Sequence, residues 1–232
     1  MRYLVLACDY DGTLASDGVV DDLVVAALER CRASGRRNVL VTGRELADLK
    51  QTFRRLDLFE YVVAENGGTL FRPAKNEERV LAERPSDEFV SALRARGVGP
   101  LSVGRVIVAT WTPHETVVVE TIRDFGLELQ VIFNKGAVMI LPSGINKASG
   151  LAAALEETGV SPHNVVAVGD AENDHALLSY AGAAAAVANA VPMLAERADL
   201  VTAGARGEGV IELIDRLIDN DLADLPPRRS TP

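Results

Sequence analysis

Cysteine is scarce in this 232-residue chain. Cys8 and Cys31 are too few for a disulfide framework and lack the close spacing of a metal-ligand set. A reducing compartment is therefore the default. Long apolar runs are missing too: none approaches the roughly 18–20 residues of a membrane span. The first run meets Asp9 too soon after Arg2 for a secretory signal, so a cytoplasmic location and no membrane partner are expected. Positive charge is the third shortage, with 24 Lys and Arg against 33 Asp and Glu for a net charge of −9. Nucleic acid and anionic membranes need a broad basic face, so neither is expected as a partner, although local basic pockets stay compatible. No internal repeat is present. A hydrophobic content of 48% with 25% charged residues supplies ample core, and the length suits one large domain or a domain carrying an insertion.

The run Tyr3–Cys8 can form a buried strand, and it leads straight into Asp9-Tyr10-Asp11-Gly12-Thr13-Leu14. Asp21 and Asp22 stand where a helix N-cap would, before Leu23, Ala27, Leu28 and Cys31 at helical spacing and a stop at Gly35. Asn38–Val41 is a second strand, ending in Thr42-Gly43-Arg44. The stripe Leu46, Leu49, Phe53 and Leu56 marks an amphipathic helix over 45–56, and Tyr61–Ala64 is a third strand running into Glu65-Asn66-Gly67-Gly68. Strands alternating with helices predict an α/β fold built on a doubly wound parallel sheet.

The rhythm changes between about Thr69 and Pro142, where short strands surround two helices. Strands are expected at 69–71, 103–110, 128–133 and 137–141, with a further one at 79–83. Helices are expected over 86–96, capped by Ser86, and 113–125, with Pro113 early. Asn134-Lys135-Gly136 separates the last two strands as a hairpin. This predicts a small α+β domain over 73–142 inserted into a core of 1–72 and 143–222, with hinges near 72–74 and 142–144. The α/β rhythm then resumes: a helix over 146–158, the apolar strand Val165–Val168 ending in Gly169-Asp170-Ala171-Glu172-Asn173-Asp174, a further helix, strands at 183–188 and 200–202, and a last helix over 209–220. Residues 223–232 are read as a disordered tail or a linker.

Asp9, Asp11, Thr42, Lys147, Asp170, Asn173 and Asp174 all fall where strands end and helices begin, the edge on which ligands of open α/β sheets bind. Four carboxylates converging in a partly dry crevice repel unless some protonate or a cation sits among them. Oxygen-only ligands with open positions suit magnesium, which is commonly bound by one or two carboxylates plus a substrate phosphate. Lys147 adds a second positive centre, Thr42 a hydroxyl beside Gly43, and helix N-terminal amides after Gly12 and Thr42 further donors for an anion. Together they describe a phosphoryl site. One carboxylate can then attack phosphorus while its neighbour moves the proton.

In order, Asp9-Tyr10-Asp11-Gly12-Thr13-Leu14, Val41-Thr42-Gly43-Arg44, Lys147 and Gly169-Asp170-x-x-Asn173-Asp174 resemble the four motifs of the haloacid dehalogenase-like superfamily. The insertion between the second and third motifs is similar to that superfamily's second class of cap. Glu65-Asn66-Gly67-Gly68, Val187-Ala188-Asn189-Ala190, Ala198-Asp199 and Gly207-Glu208-Gly209-Val210 resemble the Cof-type phosphatases. The resemblance spans about Arg2 to Leu217. It implies that Asp9 is the nucleophile forming an aspartyl-phosphate and Asp11 the general acid and base. It further implies that Asp170 holds Mg2+ with Asp9 and the Asp11 carbonyl. Gly12, Thr13, Thr42, Gly43, Lys147 and Asn173 would line the phosphoryl group, with Asp174 supporting Lys147 or the metal shell.

The implied activity is Mg2+-dependent hydrolysis of a small phosphorylated metabolite, a sugar phosphate or a phosphoglycolate-like acid. A sugar phosphomutase using the same nucleophile and a non-catalytic regulatory domain of a longer polypeptide are the alternatives, and a homodimer or a further fused domain stays open. Arg44 reads either as a substrate or cap contact or as a helix-entry charge. Asn66 and Asn189 end strands on the functional edge and are placed near the site, though a turn role would also account for them. Cys8 reads as a small buried hydrophobe, His175 as lying on the exposed side of its helix, and His114 and His163 as surface residues. In the insertion, Trp111, Arg105 and Lys135 read either as facing the substrate or, as the more ordinary case, as a buried tryptophan and two solvated charges.

Overall fold

A computed structural model describes residues 1–225 of the chain. Its larger sheet starts from β1 (Val5–Cys8), α1 (Asp22–Ala33), β2 (Arg37–Val41), α2 (Leu46–Thr52) and β3 (Tyr61–Ala64). It is completed by β4 (Thr69–Arg72) and β5 (Glu77–Val80), then by α5 (Lys147–Thr158), β10 (Val165–Gly169), α6 (His175–Tyr180), β11 (Ala183–Ala186), α7 (Pro192–Ala195), β12 (Leu200–Val201) and α8 (Arg206–Asn220). The strand order is β12-β11-β10-β1-β2-β3-β4-β5. β12 through β3 run parallel, and β4 and β5 close one edge antiparallel.

β1 is apolar at every position because both of its faces are covered. Leu6 and Cys8 join the layer that contains Val24, Leu28 and Cys31 of α1 and Leu213 and Leu217 of α8. Val5 and Ala7 join Leu151 and Leu155 of α5 and Leu177 of α6 on the other side. Each large aliphatic side chain buried this way contributes about 1.5–3 kcal/mol. The central strand is thus anchored from both layers, and the residue that follows it inherits that rigidity.

Between the two halves of this sheet lies a second unit: α3 (Asp87–Ala95), β6 (Ser102–Val103), β7 (Val108–Trp111), α4 (Glu115–Phe125), β8 (Leu129–Asn134) and β9 (Ala137–Pro142). Its strands pair antiparallel in the order β6-β7-β9-β8. Phe89, Val90, Leu93 and Val118 of the two helices pack on Val108, Val138 and Ile140. Met139 and Leu141 alternate to the opposite face, which looks toward the larger sheet. The β8–β9 hairpin turns on Lys135 (φ 47°) and Gly136 (φ 89°), the paired left-handed conformation that suits a two-residue connection.

Several boundaries differ from the sequence expectation for physical reasons. The chain does not leave the larger sheet near 72–74: β5 pairs with β4 from Thr69↔Val80 to Arg72↔Glu77, so that segment is the turn of a hairpin and the departure follows Val80. The strand expected over 103–110 is broken because the Arg105, Val106 and Ile107 N–H groups donate to the Glu65 carboxylate instead of a strand partner. α2 stops at Thr52, with Leu56 in a separate turn, and α8 begins at Arg206, three residues before the expected Gly209. No helix follows Gly12 directly: the segment folds as tight turns, with the Leu14 and Ala15 N–H groups on the Tyr10 carbonyl, and α1 starts only at Asp22. Of the tail expected over 223–232, residues 226–232 lie outside the described residues. Leu225 packs against the core and Asp224 pairs with Arg216 at 2.6 Å, so the described part is not a free tail.

The start of α5 is seated with little tolerance. The Asn146 side-chain oxygen accepts the Ala148 and Ser149 N–H groups at 2.9 and 3.1 Å, and the Ser149 hydroxyl accepts the Asn146 N–H at 3.0 Å. Against this cap lies Gly67, at φ 107°, where an added Cβ would stand 2.0 Å from the Asn146 carbonyl oxygen. Gly67→Ala should therefore destabilise the fold by at least about 1–3 kcal/mol, measured by denaturant unfolding. Gly97→Ala, where an added Cβ meets nothing within 4 Å, separates the steric effect from the cost of positive φ alone.

Candidate functional site

The strand order reverses beside β1: the chain winds outward through β2 and β3, then returns to β10 on the opposite flank. A crevice opens at the carboxyl ends of strands at such a switch point. Asp9 follows β1 and Asp170 follows β10, while Lys147 opens α5 beneath them. Lys147 is 1% exposed. Its Nζ donates to Asp9 Oδ1 at 2.5 Å and to Asp174 Oδ1 at 2.6 Å. The second Asp174 oxygen accepts the Asp170 and Ala171 N–H groups, each at 3.0 Å. Asp174 is thus fully engaged, holding Lys147 and shaping the 170–174 turn.

Asp170 is the convergence point of four segments. Its Oδ1 accepts the Thr13 hydroxyl at 3.1 Å, and its Oδ2 accepts the Asn189 amide at 3.2 Å. The same amide group holds the Gly12 carbonyl at 2.9 Å. Lys135, from the β8–β9 turn, also pairs with Asp170 Oδ2. Ligand oxygens of Asp9, Asp170 and Asp174 lie within 4.8 Å of one another, all buried. An oxygen-only set of this size fits a small hard cation. With Asp174 committed to Lys147 and two N–H groups, Asp9, which has one oxygen unengaged, and Asp170, by exchanging Lys135, are the carboxylates placed to hold it.

The electrostatics agree with that fit. Burial and the Asp174 charge push the Asp9 carboxyl up, to about 8, against the pull of Lys147. Burial likewise pushes Asp170 up, against the pull of Lys135. For Lys147, burial lowers the ammonium's pKa, but Asp174 and Asp9 more than offset it and leave it above the usual lysine value. With all three carboxylates ionised, their charge would exceed that of the two lysines, and a divalent cation would relieve the excess.

Asp11 stands apart from this cluster. Arg44 grips it through two parallel bonds, Nε to Oδ2 and Nη2 to Oδ1, both at 2.7 Å, and also holds Asp48 at 2.8 Å. Of the four carboxylates expected to converge, three do so and the fourth is held at the rim. Arg44 is therefore more than a helix-entry charge. Thr42 is buried, its Oγ accepting the Arg44 N–H at 3.1 Å. The Asn173 amide donates to Asn66 Oδ1 at 3.0 Å. Asn173 Oδ1 and the Asn66 amide nitrogen are buried without a partner, polar groups whose desolvation a bound ligand could offset. Asn66 reaches this position through a left-handed backbone, φ 55°.

A cavity of about 820 Å³ opens above these groups between the two sheets, lined by Asp9, Asp11, Arg44, Trp111, Lys135 and Met139 among others. Met139 closes on Gly43, where an added Cβ would stand 2.9 Å from its Cε.

A model of the haloacid dehalogenase-like hydrolase family matches residues 6–94 and 115–214. The chain belongs to that family. It is 34% identical over 223 residues to a phosphoglycolate phosphatase of Methanothermobacter thermautotrophicus, covering 92% of this chain and 98% of that one. A haloacid dehalogenase-like hydrolase from Bacteroides thetaiotaomicron superposes with a TM-score of 0.79 at 21% identity, covering 93% of this chain and 99% of that one. A subclass IIB sugar phosphatase of the same superfamily superposes at 0.78 with 17% identity, covering 92% and 98%. These two solved structures share the fold.

Within this haloacid dehalogenase-like hydrolase, two insertion residues for which the more ordinary reading was structural reach the site. Lys135 is not simply solvated, since it reaches Asp170, and its place at the tip of a hairpin was the available signal. Trp111 is 54% exposed and lines the cavity; an apolar alternation in β7 that leaves it opposite Val108 and Thr110 was its only trace. Glu65 stood in the Glu65-Asn66-Gly67-Gly68 stretch without an assigned role. It is 2% exposed, and its oxygens take three consecutive N–H groups of the smaller unit at 2.7–3.0 Å. Cys8 is buried as expected.

The raised Asp9 carboxyl has a consequence for stability. Between an ordinary carboxylate value near ~4 and its folded value of about 8, the folded protein binds a proton that the unfolded chain has lost. Stability of metal-free protein should then fall as pH rises through that window. Denaturant unfolding in EDTA at pH 5 and pH 8 should show the fall, and saturating Mg2+ should flatten it.

Proposed function

We propose that this chain is a magnesium-dependent phosphatase of small phosphorylated metabolites, working through an aspartyl-phosphate on Asp9. The observation that carries the proposal is the buried Asp9–Lys147–Asp174 array beside Asp170, at the floor of a cavity roofed by the smaller unit. Asp9 and Asp170 would hold Mg2+, which would supply positive charge to the phosphoryl oxygens and favour the ionised form of Asp9. Lys147 adds a second, rigidly placed positive charge there.

In the first half-reaction an Asp9 oxygen attacks phosphorus, the bond to the ester oxygen breaks, and Asp11 gives its proton to the departing alkoxide. In the second, Asp11 takes a proton from water, the hydroxyl attacks phosphorus, and the Asp9–phosphorus bond breaks to release phosphate. Asp11 must leave the Arg44 grip to do so, and an incoming anion competes for that guanidinium. Thr42 and Asn173 contribute donors to the phosphoryl group, and Asp174 positions Lys147.

Residues 81–142 serve as a cap that excludes water and selects the leaving group. The cations Arg44, Lys135 and Arg206 line the cavity, which favours a phosphoglycolate-like acid over a neutral sugar phosphate. The phosphoglycolate phosphatases among the relatives support the same choice. A cytoplasmic location accords with this chemistry.

Purified protein should release phosphate from 2-phosphoglycolate and from an aryl phosphate only with Mg2+. Asp9→Asn should reduce release to background with the fold intact by circular dichroism. Asp11→Asn should slow it by about 10²–10⁴. Release that survives both EDTA and Asp9→Asn would overturn the mechanism.

A further inference from the structure

A second cavity, of about 920 Å³, lies at the other end of the larger sheet, where β2 and β3 begin and α2 ends. Its size is that of a small-molecule site, typically ~300–1,000 Å³. The lining is strongly basic in a chain of net charge −9: Arg32, Arg36, Arg37, Lys50, Arg54 and Arg72, against Asp57 and Glu60. Those two acids are already engaged, Glu60 by Arg37 at 3.3 Å and Asp57 by Arg55 at 3.0 Å.

Arg36 is buried and locked, donating to the Leu217 carbonyl at 2.6 Å and to Asp221 at 2.8 Å, with its Nε unpartnered. Four of these cations, Arg32, Lys50, Arg54 and Arg72, have no carboxylate partner among the described residues, Arg32 donating only to the Asp57 main-chain carbonyl at 3.0 Å. Lys50 reaches only Asn76 Oδ1 at 3.4 Å and the Phe71 ring at 4.0 Å. Arg72 lies over the Tyr61 ring at 5.6 Å. Arg54 makes no hydrogen bond or ion pair in the described structure. Like charges gathered around one concavity repel one another and focus a positive potential into it. These four come from three segments, the C-terminal end of α1, the end of α2 with the loop after it, and the end of β4.

We propose that this cavity binds a small oligophosphate, an anion with two or more linked phosphoryl groups. Linked phosphates carry more charge and more acceptor oxygens than a single phosphate, and so can engage cations from several segments at once. Bidentate guanidinium contacts are the geometry by which arginine takes such groups. The site is separate from the crevice, at the opposite ends of the same strands, and does not depend on the activity proposed above.

The test is calorimetric titration of ATP and of inorganic tripolyphosphate, without Mg2+, into Asp9→Asn protein. The same titrations are run on that protein carrying Arg54→Ala and Arg72→Ala. Both arginines lie outside the hydrophobic core, so the variant should keep its melting temperature; Arg54→Glu alone is the second variant should the double one fail to fold. We expect one or both anions to bind, with affinity at least about tenfold weaker in the cavity variant, or ~1.4 kcal/mol. Orthophosphate binding should be unchanged. Tighter ATP assigns a nucleotide as the natural occupant, and equal affinities assign the phosphate chain alone. Absence of binding by both anions, or equal binding with and without the arginines, overturns the proposal.

Discussion

A buried ammonium held between two buried carboxylates is the constraint around which the rest is arranged. Removing Lys147 from water is costly, and it is tolerated because Asp9 and Asp174 both reach its Nζ within 2.6 Å. That demand fixes three elements at once. β1 must end at Asp9, the turn after β10 must fold back so that Asp174 faces inward, and α5 must begin where its first residue enters the crevice. The Asn146 cap and the close approach of Gly67 and Gly150 to one another meet the last requirement. Local backbone chemistry and long-range charge pairing therefore select the same arrangement, the mutual consistency expected of a specific fold.

The smaller unit is tied to that centre at two points of different chemistry. Glu65, in the turn after β3, collects the N–H groups of residues 105–107 and interrupts a strand to do so. Lys135, at the tip of the β8–β9 hairpin, reaches Asp170, and the Lys135 N–H donates to Glu172 at 3.2 Å. The first contact is buried and backbone-directed, suited to an enduring attachment. The second sets a mobile type of side chain against a carboxylate that a cation would also claim, so occupancy of the crevice and placement of the hairpin are electrostatically linked.

Much of this was legible in the residues. The alternation of apolar runs with amphipathic stripes sufficed for the parallel core, because strands covered on both faces must be apolar throughout. The Ser86 cap was legible from an equally local signal. The edge hairpin β4–β5 was not, since all four β5 residues are exposed and carry no apolar signature. The break in the strand over 103–110 was invisible because its cause, Glu65, lies forty residues away. Asp11 was read into the carboxylate cluster, but Arg44 draws it to the rim.

Residue order alone determined the chemistry available: two aspartates after one strand, a threonine after the next, a lysine at a helix start and an acidic turn after a later strand, all on one edge by the geometry of parallel α/β winding. Which carboxylates are free and which are committed was decided only by the fold. Hydrogen bonds are short-ranged and directional, so the pairing of Asp174 with Lys147, of Asp11 with Arg44 and of Asp170 with Lys135 depends on side chains that meet across 27 to 35 residues of chain. The basic cavity at the far end of the sheet has the same origin, its cations brought together by four separate segments.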